Sequence, residues 1–299
     1  MRFFTSDRFV IPLPDGHSFP GRKYILLRER LVRDGILRAE QIAPSPLAEA
    51  ADIARAHTAD YVTAVRAGRL DAQAQRRIGL PWSANLVDRV TATMGGAVAA
   101  AAAALDTGLS GQLAGGTHHA HRDFGAGYCI FNDFAITALK VLAEGWATRV
   151  AVIDLDVHQG DGNAAILAGH PDVFVFSMQG EKNFPRQRVA SDLDVDLPDG
   201  TGDDAYLRAL AEHLPAVFDF RPDLVLYQAG VDPLAEDRLG RLALTLDGLA
   251  KRDRLVLTEC RSRGIPVSMA IGGGYADPIE LTVAAYANTY QVAKEVYRF

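Results

Sequence analysis

Residues with chemical capacity concentrate in Asp154-Leu-Asp156-Val-His158-Gln-Gly-Asp161, directly after the apolar run Ala151-Val-Ile. Three acids and a histidine at the end of such a run are expensive to desolvate unless a cation joins them. Along extended backbone Asp154, Asp156 and His158 point to one side, because side chains alternate with a period of two. A helix cap would explain one of these acids, not three with a histidine. Asp232, in Leu-Tyr-Gln-Ala-Gly-Val-Asp-Pro, closes a second apolar run. Alone, an Asp before Pro reads as a turn residue; beside the first segment it is the natural third ligand. Asp156, His158 and Asp232 then supply the three protein ligands that a catalytic zinc takes while leaving a position open. Two oxygens and one nitrogen also suit Fe(II), Mn(II) or Co(II).

His118 and His119 follow the glycine pair in Gly115-Gly-Thr-His-His-Ala-His121, ahead of Gly125-Ala-Gly127-Tyr128. The two are either further metal ligands or general acid–base groups, each oriented by a carboxylate. Asp154 and Asp161 remain as orienting partners for the second case, since such hydrogen bonds fix an imidazole tautomer. Ile271-Gly-Gly-Gly-Tyr275 closes a further apolar run. Its glycines allow close backbone approach to a ligand. No Lys and Ser/Thr follow them, so this is not a phosphate-binding P-loop. Tyr275 instead offers a phenol to a developing oxyanion. Cys129, in an apolar run near His119, is read as structural, because nothing in the sequence suggests an electropositive site that would lower its pKa.

These segments need strand ends to hold them. Val150–Leu155, Val173–Ser177, Leu224–Ala229 and Val267–Ile271 read as strands. They lack polar alternation, as strands of a parallel sheet covered on both faces do. Phe134–Glu144, Asp203–Phe218 and Thr245–Arg263 read as the intervening helices, and the Ala-rich run Ala97–Leu105 as a packed internal helix. Pro12–Tyr24 and Gln179–Gly202 read as long loops. The expectation is an α/β protein of three layers, α/β/α, with a mainly parallel central sheet. No repeat or linker divides it, so residues 1–299 are expected to form one catalytic domain. Ligands in such sheets sit outside the carboxyl ends of the strands.

Composition narrows the class of function. At 48% hydrophobic and 23% charged, the chain is ordinary for a globular protein and not for a disordered one. Its 31 Lys and Arg against 37 Asp and Glu give a net charge of −6, which argues against a nucleic-acid partner. The apolar run Ala97–Leu105 is far short of the ~20 residues of a membrane span, so no membrane partner is expected. Two cysteines and no secretory signal make a reducing cytoplasm the expected compartment.

Four segments together, GGTHHAHRDFGAGYCIFND, VIDLDVHQGDG, QAGVDPLAEDRLG and IGGGY, resemble the motifs of the histone deacetylase-like zinc amidohydrolases, in the family's order. PLPDGHSFPGRKY and FSMQGEKNFP look most similar to its small bacterial, class IV-like branch. The resemblance implies the arginase/deacetylase fold, with Asp156, His158 and Asp232 on Zn2+ (Fe2+ as the alternative). It implies His119 as general base and acid, His118 as its electrostatic neighbour, Asp154 and Asp161 behind them, and Tyr275 as oxyanion donor. It further implies Gly127 and Tyr128 lining an acyl-lysine tunnel, which Phe184 is expected to share, and a structural K+ near Asp154, Ser177 and Met178. His121 and Gln159 depart from the family pattern at positions that are not ligands, so neither is expected to affect catalysis. The expected activity is hydrolysis of an N-acylated amine such as acetyl-lysine. The rivals are a non-catalytic metal and acyl-ligand binding module and an arginase-like hydrolase with two metals.

Overall fold

The computed structural model describes residues 1–299. Eight strands form one sheet in the order β2-β1-β3-β8-β7-β4-β5-β6. They are β1 (Phe3–Thr5), β2 (Ile42–Pro44), β3 (Leu109–Gln112), β4 (Val150–Asp154), β5 (Val173–Gly180), β6 (Leu193–Leu197), β7 (Leu224–Gln228) and β8 (Val267–Ala270). Every pairing is parallel, which goes further than the mainly parallel sheet expected. The helices are α1 (Lys23–Arg33), α2 (Ala50–Ala56), α3 (Ala59–Arg66), α4 (Ala72–Ile78), α5 (Ala84–Thr107), α6 (Asp133–Ala143), α7 (Asp161–Leu167), α8 (Asp203–Asp219), α9 (Leu246–Ser262) and α10 (Ile279–Tyr297). They cover both faces and complete the three-layer α/β/α architecture. On one side α5 packs on β1, β3 and β8 and against α6, while α1, α10, α9 and α8 follow one another in contact.

Capping places the helix starts. Ser83 accepts from the Leu86 amide at the head of α5, Asn132 from Ala135 at α6, and Thr245 from Gly248 at α9. The run Ala97–Leu105 lies within the 24-residue α5, which is long and apolar enough to cross a membrane but is largely buried against the sheet. The four strands read from the sequence are present within a few residues, and each is almost wholly buried, which explains their unbroken apolar character. One segment differs from expectation. Gln179–Gly202 is not all loop: β5 runs on to Gly180, and Leu193–Leu197 adds the edge strand β6, whose alternating Leu-Asp-Val-Asp-Leu hides its pattern on a half-covered edge.

The register of the central strands positions the chemistry. Asp154 pairs with Gln228 across β4 and β7, and Gln228 with Ala270 across β7 and β8. Ser268 and Met269 of β8 pair in turn with Ser110 and Gly111 of β3. Four strand ends therefore lie level at one edge of the sheet. The segments starting at Leu113, Leu155, Ala229 and Ile271 all leave from that line.

Candidate active site

Asp156 and His158 follow β4, and Asp232 follows β7. One ligand atom from each lies within 4.8 Å of the others, and all three residues are buried. His158 Nδ1 is 3.0 Å from both Asp156 Oδ1 and Asp232 Oδ2. The outer carboxylate oxygens are held by backbone: Asp156 Oδ2 accepts from the Gly273 amide at 2.7 Å, and Asp232 Oδ1 from the Val157 amide at 2.9 Å. One ring N–H cannot satisfy two carboxylates, and the cluster holds more negative charge than a single imidazolium cancels. Burial together with repulsion from Asp156 raises Asp232 to about 7, and the two carboxylates overcome burial to raise His158 to about 10. This donor set fits a divalent cation. Gly273 shows how tightly the set is built, since a Cβ there would sit 1.9 Å from Asp232 Oδ2.

His118 and His119 lie side by side, ring centroids 4.1 Å apart, each with Nδ1 on a carboxylate. His118 Nδ1 donates to Asp154 at 2.8 Å, and His119 Nδ1 to Asp161 at 2.6 Å. That engagement favours the second of the two readings open for them: both are carboxylate-oriented imidazoles whose Nε2 atoms are left free of these bonds. Their environments differ. Burial lowers both, but Asp154 and Asp156 outweigh it at His118, which rises to about 9. At His119 burial and the charge of His118 outweigh Asp161, and it falls to about 4. His119 is therefore held neutral near pH 7 and able to accept a proton. The loop carrying both is clamped by buried Asp133 at the start of α6, which accepts from the Gly116 and Thr117 amides at 2.8 Å.

Tyr275 is 8% exposed, and burial, with Asp232 next in weight, holds its phenol far above the ordinary range. It stays protonated and available as a donor. Its backbone is pinned on both sides: its amide donates to Asp237 at 2.6 Å, and Arg238 Nε donates to its carbonyl at 2.9 Å. Gly127, Tyr128 and Phe184 line one cavity of about 450 Å³ with His119, His158 and Tyr275. Gly127 has φ +53°, and a Cβ there would meet His119 Cδ2 at 2.7 Å, so glycine keeps the passage open. Phe184 sets its ring edge against His119 at 4.8 Å, and the Tyr128 hydroxyl lies 2.7 Å from that of Ser18. Ser177 pairs with Asp154 in the sheet, next to Met178, and its buried hydroxyl has no hydrogen-bond partner.

The structure adds residues that the sequence reading did not single out. His121, set aside there, donates from Nε2 to Asp161 Oδ2 at 2.9 Å, so two imidazoles share the carboxylate behind His119. Gln159, also set aside, joins Val189 and Asp194 and ties down the segment before β6. Lys23 is buried with Nζ 3.3–3.4 Å from the carbonyls of Gly272 and Gly274 and 5.0 Å from the Tyr275 ring; burial lowers it to about 8. Lys23 and Asp237 lie in segments quoted above, GRKY and AEDRLG, but their work is on backbone atoms of distant residues, which spacing does not reveal. Arg252 is wholly buried and donates to the carbonyls of Leu155, Ala229 and Gly230, bracing the two loops that carry Asp156, His158 and Asp232.

Residues 17–290 match the profile described as histone deacetylase domain. An uncharacterised protein of a Picosynechococcus strain is 47% identical over 97% of both chains. Histone deacetylase 2 of Arabidopsis thaliana is 31% identical over 87% of this chain and 70% of its own length. The acetoin utilization protein AcuC of Bacillus subtilis is 28% identical over 94% and 78%. Among solved structures, the HDA15 HD domain superposes with a TM-score of 0.81 at 19% identity, covering 99% of this chain and 96% of that one, which bears on the fold.

Proposed function

Because the chain belongs to the histone deacetylase family, we propose that it is a zinc-dependent amidohydrolase that removes the acyl group from acetyl-lysine or a related N-acylated amine. One observation carries the reading: His158 of the Asp-His-Asp trio, the neutral imidazole of His119 and the protonated phenol of Tyr275 line one cavity, whose wall also carries Tyr128 and Phe184.

Asp156, His158 and Asp232 would hold the zinc, which when bound would supply Lewis acidity toward an amide carbonyl and a water molecule. His119 accepts the proton of the attacking water at Nε2, while Asp161 holds Nδ1 and stabilises the imidazolium formed. The same Nε2 returns the proton to the amine nitrogen, which leaves poorly as an anion. Tyr275 donates its phenolic proton as a hydrogen bond to the oxygen that was the carbonyl. Its backbone anchors to Asp237 and Arg238 hold that donor in place before the reaction, so little reorganisation is needed. Gly127, Tyr128 and Phe184 enclose the alkyl stem. The orphan hydroxyl of Ser177 supports a structural K+ beside Asp154 and Met178.

Replacement of Tyr275 by Phe tests the reading. We expect the fold and metal content to be kept, an acetyl-lysine peptide to bind within about tenfold, and kcat to fall at least ~100-fold, the usual cost of one oxyanion donor. Unchanged turnover would remove Tyr275 from the mechanism. Wild-type protein that binds metal and peptide without hydrolysing any acylated amine would establish the binding module, and two metals per chain the arginase-like hydrolase.

A further inference from the structure

The 450 Å³ cavity that leads to His158 and Tyr275 is lined on its outer side by four cationic side chains, Arg76, Arg77, Lys182 and Arg241, and by no Asp or Glu. This is unexpected in a chain whose net charge is −6. The four differ in how they are balanced. Lys182 and Arg241 share Asp199, at 3.7 and 3.3 Å, and Lys182 also meets Glu181 at 3.3 Å, so that side is close to neutral. Arg76 and Arg77 take part in none of the ion pairs of the structure. Arg77 is held in place by its guanidinium over the Phe124 ring at 4.2 Å, and Phe124 in turn stacks on His121 at 4.3 Å. Both arginines end α4, where cations favour the helix dipole. That accounts for their presence at a helix end, but not for their facing a cavity free of acids that continues to the catalytic groups.

We propose that the acylated substrate carries negative charge on the part that remains outside the passage, as carboxylates just beyond its alkyl stem. This rests on the deacylase reading of the same cavity and narrows it. Acyl-lysine among acidic neighbours, or a small acylated amine that ends in a carboxylate, is favoured, and acylated polyamines and lysines in basic surroundings are disfavoured. Like charges facing each other at the mouth slow encounter and weaken binding, whereas opposite charges steer the substrate in.

The test uses metal-loaded full-length protein and three fluorescent acetyl-lysine peptides that differ only in flanking residues: Asp/Glu, Ser/Gly or Lys/Arg. Binding is read by anisotropy and hydrolysis as kcat/KM, each at low and at 0.5 M salt. A matched small pair, 6-acetamidohexanoate and N-acetylcadaverine, presents the same stem ending in a carboxylate or an ammonium. We expect the acidic peptide to exceed the basic one about tenfold or more at low salt, with the gap shrinking at high salt as the charges are screened over a few Å. Preference confined to the small pair, or to the peptides, identifies where the carboxylate resides. In the double variant Arg76→Gln/Arg77→Gln the acidic-to-basic ratio should fall to within about twofold. A purely structural role for these arginines would weaken all three peptides alike and leave the ratio intact, which overturns the proposal, as does equal or better use of the basic peptide by the wild type. Charge-dependent binding without any hydrolysis would sustain the cationic mouth and defeat the deacylase reading. Hydrolysis with no charge preference would do the reverse.

Discussion

Two clusters of buried charge flank the ends of β4 and β7, and they are built in opposite ways. Arg252 and Asp253 on α9 form a closed set. Arg252 donates to Asp253 and to three backbone carbonyls, and Asp253 accepts from Tyr227 and Thr289. Charges cancel and the donors find acceptors. Asp156, His158 and Asp232 form an open set, with two carboxylates on one ring nitrogen and a surplus of negative charge. Both clusters are wholly or almost wholly buried, so burial of charge alone does not separate support from chemistry. Closure does. A closed cluster has nothing left to offer a ligand, while an open one keeps surplus negative charge with which to bind a cation.

Breaking each cluster should therefore fail differently. Asp156→Asn keeps an acceptor for the Gly273 amide while removing one negative ligand. We expect loss of hydrolysis and a fall of more than ~100-fold in metal affinity, beyond what loss of an outer partner usually costs. The bond from the Gly273 amide survives, while the acceptor of the His158 amide is lost and the repulsion between Asp156 and Asp232 is relieved, so the metal-free variant should unfold in urea within about 2 kcal/mol of the metal-free wild type. Full metal content by elemental analysis would show that the ligand set is wrong. Arg252→Met should do the opposite. It strands Asp253 without its cation and leaves three carbonyls unpaired, so the metal-free protein should lose about 3–5 kcal/mol in urea unfolding. A variant as stable as wild type would mean the cluster is not closed in the way described.

The same contrast explains what was legible in the sequence. The open cluster was visible because its residues are crowded at the ends of two apolar runs, where such side chains have no structural excuse. The central strands were visible because burial on both faces leaves them uniformly apolar. Arg252, Asp253, Lys23 and Asp237 were not visible, because each bonds to backbone or side chains from other segments, and a lone charge within a helix reads as surface. The short strands β1, β2 and β3 escaped notice: Leu-Ser-Gly-Gln in β3 has no pattern to find, and its burial comes from α5 and its neighbours. The role of His121 is not legible in the sequence, since its contact with Asp161 depends on how the chain turns after His119.

A third buried group sharpens the comparison through pH. His57 is 1% exposed; its Nε2 accepts from the Asn132 amide at 2.9 Å, and its Nδ1 has no partner. Burial lowers its pKa from 6.5 to about 4. The folded state thus holds the neutral form. Below pH 6.5 the unfolded chain takes up a proton that the folded chain refuses until about pH 4. Stability contributed by neutral His57 is complete above 6.5, declines as pH falls and levels off below 4. The shift corresponds to about 3 kcal/mol. Because Asp232 and its neighbours also titrate in this range, the measurement is a difference: wild type minus His57→Gln, by urea unfolding from pH 7.5 to 4. The difference should narrow by that amount on acidification, and a difference independent of pH would show that His57 is not held neutral. Asn132 caps the helix whose Asp133 clamps the His118–His119 loop, so loss of hydrolysis should accompany the loss of stability.

The smallest effect is expected at Cys129, which lies closer to the reacting groups than His57 does. It lines the small cavity of about 50 Å³ shared with His119, His158 and Tyr275, so position alone would favour a nucleophile. Its environment argues the other way. The thiol is 5% exposed, its Sγ donates to the Gly127 carbonyl at 3.4 Å, and burial pushes its pKa well above the ordinary value. A nucleophilic cysteine needs the thiolate, which an electropositive surrounding supplies. Here the charges that act on it belong to carboxylates, Asp133, Asp161 and Asp156, and they oppose ionisation. Cys129 thus belongs with the closed, supporting parts of the molecule despite its address. Cys129→Ala removes one sulfur atom from a packed wall and should cost about 1–2 kcal/mol of stability, at the lower end for deletion of a buried group. Turnover on an acetyl-lysine peptide should stay within about threefold of wild type, well short of the loss that follows removal of a group used only in the transition state. A folded, metal-replete Cys129→Ala protein without activity would replace the water mechanism by a covalent one.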